Sequence, residues 1–299
     1  MRTFIEDYMD WVREALNDTS VTKRVTSAQL LRDLHAHHQS VYEKLLRVSG
    51  TESTFSYAET SITLQNGREY YRLPGNFRFF LGFEKRDAGN PNKVLARLPS
   101  IADWNYGPGI IISSPELGFR IRPVPEISSD ETWTLRYQRG PIVLHYGDGL
   151  YTPGNFRLQA DIPVERGERF DLENYYANEL IHFPAPLQSG IDTTMSCTEV
   201  LTYNPISRGC TLRNNPAYPG TNVRYEFRTF LPRGIDKLIA LSVALNQTAN
   251  RTDPEKRKLL KDEWNDLWVS AKSYVKRMAR DKLELRPKSI YAEVDPYGM

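Results

Sequence analysis

The stretch TFSYAETSITLQNGREYYRL, residues 54–73, decides the fold class. β-Branched and aromatic residues crowd both sides of Asn66-Gly67, a dipeptide suited to the positive φ angles of a tight hairpin turn. The pattern predicts two antiparallel strands joined at that dipeptide. The residues before it follow another period. Phe4, Tyr8, Trp11, Val12, Ala15 and Leu16 recur at helical spacing, and Leu30, Leu31, Leu34, Val41, Leu45 and Val48 form a second stripe at period 3.6. Thr26 with Gln29 three residues later fits a capping box, and Gly50 fits a helix stop.

Beyond the predicted hairpin the β pattern continues. Strands are expected at 76–83, 93–98, 109–112, 118–122 and 132–137, with Pro and Gly in the gaps. Within TWTLRYQ (132–138), Trp133, Leu135 and Tyr137 alternate with polar residues. The sequence PGNFR occurs twice, at 74–78 and 153–157. Each copy reads as a Pro-Gly turn entering a strand, with Phe77, Phe79 and Leu81 alternating in the first and Phe156 and Leu158 in the second. The flanks do not match, so the two copies are one turn device used twice, not a repeat. Residues 145–222 give a weaker signal and read as a long insertion. Within them FDLENYYANELIHF (170–183) predicts a short helix with Leu172, Tyr176, Leu180 and Phe183 on one side. MSCTEVLTYN (195–204) and VRYEFRTF (223–230) read as strands, and NPISRGCTLRNNPAYPGTN (204–222) reads as loop.

Helices return at the end. Ile235, Leu238, Ile239, Ser242 and Leu245 share one face, and Asp253-Pro254 marks the start of a last helix running to about residue 282. Its stripe is Leu260, Trp264, Leu267, Trp268, Ala271, Val275 and Met278, and its length about 40 Å. The predicted class is α+β. An antiparallel α-helical bundle comes from residues 1–52 and 231–284, with an antiparallel β-sandwich or barrel-like domain, 53–230, inserted between them. An extended arm, 285–299, follows.

Composition excludes several classes. An apolar fraction of 40% with 17 Tyr and 12 Phe supports a core and argues against wholesale disorder. A formal net charge of +2 makes no global case for nucleic acid or a membrane surface. Cys197 and Cys210 are too few for a disulfide framework and read as reduced thiols in a cytosolic setting. MRTFIEDYMDWVREAL carries four acidic residues in its first fourteen and resembles neither a signal nor a transit peptide. No apolar run approaches the ~18 residues of a membrane span.

Motifs for chemistry are sparse. In HAHH (35–38), His35 and His38 stand at i,i+3, where two imidazoles can share a metal. No H-E-x-x-H accompanies them, and the cluster reads as a solvated polar face. There is no phosphate loop, dinucleotide fingerprint or nucleophile elbow; YGPG (106–109) and YGDG (146–149) read as turns. Asp130–Glu131 and Glu165–Glu168 fall in polar loop sequence. The expectation is a protein that is not an enzyme, with no metal and no cofactor. The charge pattern says more. Lys272, Lys276, Arg277, Arg280, Lys282, Arg286 and Lys288 face only Asp281 and Glu284. Part of this complements the helix dipole, and the rest suits a docking end for an acidic partner or passing nucleic acid. The tail adds Ile290, Tyr291, Val294, Tyr297 and Met299, an apolar and aromatic arm suited to a groove or sheet edge on a partner.

The order of these parts resembles the head-to-tail adaptor (connector, or head-completion) proteins of tailed bacteriophages. The resemblance lies in the opening helical pair, in YYRLPGNFRFFLGFEKR (70–86), in GFRIRPVPEISSDETWTLRYQRGPIVL (118–144) and in the closing pair LPRGIDKLIALSVALNQTANRTDPEKRKLLKDEWNDLWVSAKSYVKRM (231–278). It implies a homo-oligomeric ring, a dodecamer, in the virion neck between portal and tail, assembled in the host cytoplasm. DNA would pass through the ring without sequence recognition. The arm carrying Arg286, Lys288, Ile290, Tyr291, Val294, Tyr297 and Met299 would dock in the portal, and a tail or nozzle protein would attach opposite; no membrane is involved. Two other readings compete. One is a carbohydrate-binding β module of a phage tail, with Trp104-Asn105-Tyr106 stacking on sugars. The other is a glycan hydrolase assembled from loop carboxylates.

Overall fold

The computed structural model describes residues 4–18, 25–49, 55–85, 93–97, 109–114, 118–122, 129–152, 157–160, 172–183, 196–213, 222–228, 231, 235–248 and 254–285. Four helices come from the two ends of the chain: α1 (Phe4–Ala15), α2 (Ser27–Ser49), α3 (Asp236–Thr248) and α4 (Pro254–Leu285). Thr26 caps α2 as predicted, its hydroxyl accepting the Gln29 N–H at 3.2 Å. The predicted single stripe of α3 is incomplete. Leu238, Ile239, Ala240, Leu241, Val243 and Ala244 are all buried, so the covered surface is wider than one stripe, with Lys237 and Asn246 left exposed. It packs against α1, α2 and α4. Ile5, Met9 and Val12 of α1, Leu30, Leu34, Val41 and Leu45 of α2, and Ala271 and Val275 of α4 join it in one apolar cluster. Of the α1 stripe, Val12 is buried while Phe4 and Tyr8 are half-buried; Ile5 and Met9, outside the stripe, are buried beside Val12.

Thirteen strands lie between the helical pairs among the described residues. Seven make one mixed sheet in the order β1 (Tyr57–Leu64), β7 (Glu131–Arg139), β3 (Phe77–Lys85), β4 (Lys93–Arg97), β5 (Gly109–Ser114), β6 (Gly118–Arg122), β2 (Tyr70–Tyr71). The hairpin predicted at Asn66-Gly67 is a correction. The turn exists, with Gly67 at φ 71° and the Arg68 N–H donating to the Gln65 carbonyl at 3.2 Å. Its two flanks do not pair with each other: β1 pairs with β7, and β2 pairs with β6 at the opposite edge. The link between β1 and β2 reaches at most about 20 Å, whereas a flat seven-stranded sheet is about 29 Å across. The sheet must therefore curl until its edges nearly meet. The turn bridges the two edges, and the Tyr71 hydroxyl accepts the Gln65 N–H at 3.0 Å. Phe83, Phe119, Trp133, Leu135 and Tyr137 fill the concave side. One pair, β4 with β5, is parallel, which departs from the all-antiparallel expectation.

The alternation expected in β3 also fails. Two register shifts against β7, between Phe77 and Phe79 and between Phe80 and Gly82, reset the face. Phe77, Phe80 and Phe83 turn to the core, and Phe79 is exposed. In β7, Trp133, Leu135 and Tyr137 are buried as the period predicts.

Residues 145–228 build a closed six-stranded antiparallel barrel from β8 (His145–Thr152), β9 (Arg157–Ala160), β10 (Leu180–Phe183), β11 (Ser196–Asn204), β12 (Gly209–Leu212) and β13 (Asn222–Arg228). The strand order is β13-β8-β9-β12-β11-β10, and β10 closes back on β13. The reading of 204–222 as loop missed β12, a four-residue strand. The helix predicted at 170–183 is absent. Asn174 and Asn178 take left-handed φ angles of 57° and 63°, which interrupt a helix. Each fastens instead to β11: the Asn174 N–H to the Tyr203 carbonyl at 2.9 Å, and the Asn178 N–H to the Val200 carbonyl at 2.7 Å. The turn places Tyr176 in the barrel core, stacked on Phe227 at 4.2 Å.

The first PGNFR copy joins sheet to barrel. Its Pro-Gly turn is confirmed by the Phe77 N–H donating to the Pro74 carbonyl at 2.9 Å. The Gly75 N–H donates to the Glu173 carbonyl at 3.2 Å, and a Cβ on Gly75 would stand 2.8 Å from Leu172 Cβ, so the barrel turn approaches too closely for a side chain. Asn76 Nδ2 donates to the Ala177 carbonyl at 2.8 Å, and its Oδ1 accepts the Tyr137 hydroxyl at 3.0 Å. Arg78 forms a two-point ion pair with Glu43 of α2. In the second copy, residues 153–156 lie outside the described residues; Arg157 opens β9, and Leu158 is buried.

Arg139, the last residue of β7, ties the three parts together. Its guanidinium stands 3.0 Å from the Glu179 carboxylate and donates to the carbonyls of Phe55, at 2.9 Å, and Asn178. Its own carbonyl accepts the Tyr42 hydroxyl of α2 at 3.0 Å. Glu179 is fully buried and Arg139 nearly so. Burial, the largest single influence, disfavours the charged guanidinium, but Glu179, Tyr42, Tyr137 and Glu199 together more than offset it and raise the Arg139 pKa. Removing one member of such a pair strands a charge in the interior, at about 3–5 kcal/mol. Arg139→Met and Glu179→Met should each lower the unfolding free energy by that amount in urea titrations. The double variant should lose less than the sum of the two; strict additivity would show that the pair does not act as a unit.

Candidate functional site

The basic end of α4 is the sequence-predicted site that falls within the described residues. Lys272, Lys276 and Arg277 lie on α4, the last two exposed. The Lys272 ammonium rests over the Trp268 ring at 5.8 Å, with Trp268 stacked on Trp264 at 5.6 Å. Arg280 is on the same helix. Residues 286–299, which hold Arg286, Lys288, Ile290, Tyr291, Val294, Tyr297 and Met299, lie outside the described residues, as do Trp104, Asn105, Tyr106, Glu165 and Glu168. Glu131, read as part of a loop carboxylate pair, opens β7; it accepts Lys85 Nζ at 3.1 Å and the Trp133 indole N–H at 2.9 Å.

The HAHH cluster departs from its reading as a solvated face. His38 is fully buried, faces the α2 core with Leu34, Val41 and Tyr42, and lies 6.3 Å from the Tyr42 ring. A histidine on the apolar side of an otherwise regular stripe is the signal that was available: residues 34, 38, 41 and 45 keep the helical period. His35 and His37 are partly buried. Burial lowers the pKa of His35, and it lowers that of His37 too, where nearby Asp33 raises it and Lys44 lowers it. Among the described residues no group of three His, Cys, Asp or Glu side chains is placed to hold a metal ion.

Strand register makes a thiol–imidazole pair that linear sequence does not show. Cys197 is exposed on β11 opposite His182 on β10, with Sγ 3.8 Å from Nε2. His182 in turn lies opposite Glu226 on β13. That carboxylate is directed to α1, where Oε2 accepts the Ile5 N–H at 3.1 Å, and the Phe4 ring stands edge-on to His182 at 6.3 Å. Glu226 thus satisfies one of the free N–H groups at the start of α1, and Arg224 pairs with Glu6, the next residue of the helix. The row fastens α1 to the barrel. Cys210 is sealed inside the barrel, where burial pushes its thiol well above the ordinary range.

No family model matches the chain, and no curated protein matches it. No helix among the described residues is long and apolar enough to cross a membrane.

Two outcomes follow from this geometry. Native protein should take up one equivalent of a thiol reagent such as Ellman's, at Cys197, with Cys210 reacting only after denaturation; two fast equivalents would contradict the burial of Cys210. The lowered pKa values of His35 and His37 set the sign of a pH effect. An unfolded imidazole takes up its proton near 6.5, before the folded one does. The stabilising difference is therefore complete above that pH and is lost as pH falls through the folded values. Urea midpoints should fall between pH 7 and pH 5, and less steeply in a His35→Gln/His37→Gln variant; a midpoint that rises over this window would contradict the assignment.

Proposed function

We propose that this chain is a structural subunit of a tailed-bacteriophage virion, a head-to-tail adaptor that forms a ring between portal and tail. The observation that carries the reading is the placement of α3. It packs against α1, α2 and α4, helices from both ends of the chain, so the termini share one helical core and the β strands form an excursion between them. In this reading α1–α4 act as an antiparallel bundle, the ring body, into which the curled sheet and the barrel are inserted. Identical subunits pack side to side through heterologous faces, and the rotation closes at twelve copies. DNA crosses the channel without sequence recognition, which suits a chain of net charge +2. The basic end of α4, with Lys272, Lys276, Arg277 and Arg280, leads into the arm 286–299, and that arm docks in the portal. The far side of the ring takes a tail or nozzle protein. The role is structural and not catalytic, and its place is the neck of the virion.

Negative-stain images of the full chain mixed with a purified portal ring should show an added ring coaxial with the portal. Deleting residues 286–299 should abolish the added ring while leaving the fold intact by circular dichroism. A chain that ignores the portal, or binds it equally well without the arm, would sink the proposal.

A further inference from the structure

A cleft of about 850 Å³ opens between α2, α3 and α4. Lys44 of α2 and Arg257, Lys258 and Lys261 of α4 line it, together with Ser40 and Trp264, and no carboxylate does. The three α4 cations are exposed, and none of the four cations has an ion-pair partner among the described residues. Their position adds a second observation. Arg257 stands in the first turn of α4, where the helix dipole disfavours positive charge, and Lys258 and Lys261 follow on the next turn. The dipole therefore does not explain this cluster, and its charges line the cleft.

The chemistry of the cleft narrows the class of anion. Trp264 is its aromatic wall, and the indole is already engaged. Trp268 stacks on it at 5.6 Å, the Lys44 ammonium lies over the ring at 5.6 Å, and the indole N–H donates to the Ser242 hydroxyl at 2.8 Å. A nucleic acid base, which binds such sites by stacking, would have to displace the Lys44 ammonium or the Trp268 ring from Trp264. Three of the four cations are lysines, point charges that can each take a separate carboxylate along an extended acidic segment. Leu245 and Pro254 supply an apolar floor and edge. We propose that the cleft is a docking site for an acidic segment of a partner protein. Its carboxylates reach Lys44, the Arg257–Lys258 pair and Lys261, and an apolar side chain between them rests on Leu245. The site is separate from the 286–299 arm and does not depend on ring formation.

The test uses the full chain and a fluorescein-labelled peptide of sequence Glu-Leu-Glu-Ala repeated three times, followed by anisotropy at low and at raised salt. Saturable binding that weakens with salt is expected. Lys258→Glu/Lys261→Glu should reduce affinity at least tenfold, because both side chains are exposed and the reversal leaves the fold in place by circular dichroism. A charge-matched control, Arg32→Glu/Arg157→Glu, alters exposed cations outside the cleft and should bind as the parent does. No saturable binding, an equal loss in the control, or a twelve-nucleotide oligothymidine that outcompetes the peptide at the same residues would overturn the inference. A ring that forms on the portal but does not bind the peptide removes this inference alone. A chain that binds the peptide but ignores the portal removes the adaptor reading alone.

Discussion

A guanidinium buried at the end of a strand constrains much of this structure. Arg139 is almost sealed from water, and its charge and its two terminal nitrogens are answered by protein. The answers come from different parts of the chain: the Glu179 carboxylate and the Asn178 carbonyl from the turn entering the barrel, and the Phe55 carbonyl from the approach to the sheet. Tyr42 of α2 closes on the same residue through its backbone carbonyl. Displacing the helices, the sheet or the barrel would leave at least one buried polar group without its partner. The PGNFR turn at 74–78 and the Glu226 cap on α1 repeat the arrangement at two further seams. The seams are polar and geometrically specific, whereas the three interiors they join are apolar.

That division bears on function. Apolar cores make each part stable, and polar seams make their mutual orientation specific. An assembly subunit needs the second property, because closure of a ring depends on the angle between its two lateral faces. The long helix α4 is anchored over its first two thirds, where Leu260, Ala271 and Val275 are buried, and it carries the basic cleft at its start and basic residues near its end. The two charged regions are thus fixed on one rod, about 48 Å long at the α-helical rise.

Much of this was legible in sequence, and the boundary is physical. Periodicity located all four helices and most strands, because burial on one face imposes a period that the residues must keep. It found the Asn66-Gly67 turn but not the partners of its strands, since turn chemistry is local and sheet closure is not. Alternation failed in β3, where register shifts change the face without changing composition. The helix expected at 170–183 had the right spacing of apolar residues. Two asparagines in left-handed backbone, each bonded to β11, made it a turn and a strand. His38 reads as polar by residue type, although its position matches the apolar stripe of α2. Along α4 and beyond, the cations from Lys272 to Lys288 stand out in the sequence by their density, whereas Lys258 and Lys261 are interleaved with Glu255, Asp262 and Glu263 and do not. Their significance appears only when α2 brings Lys44 across the cleft. The Cys197–His182 pair and the Glu226 cap join residues 15 and 221 positions apart, and no local pattern contains them.

The adaptor reading rests on the chain closing into a ring of its own copies. Native mass spectrometry of the purified full chain measures this directly. The account predicts a single closed species, at twelve times the subunit mass, either alone or once a portal ring is added as template. A chain that remains monomeric under both conditions, or that grows into open chains of unbounded length, would contradict it.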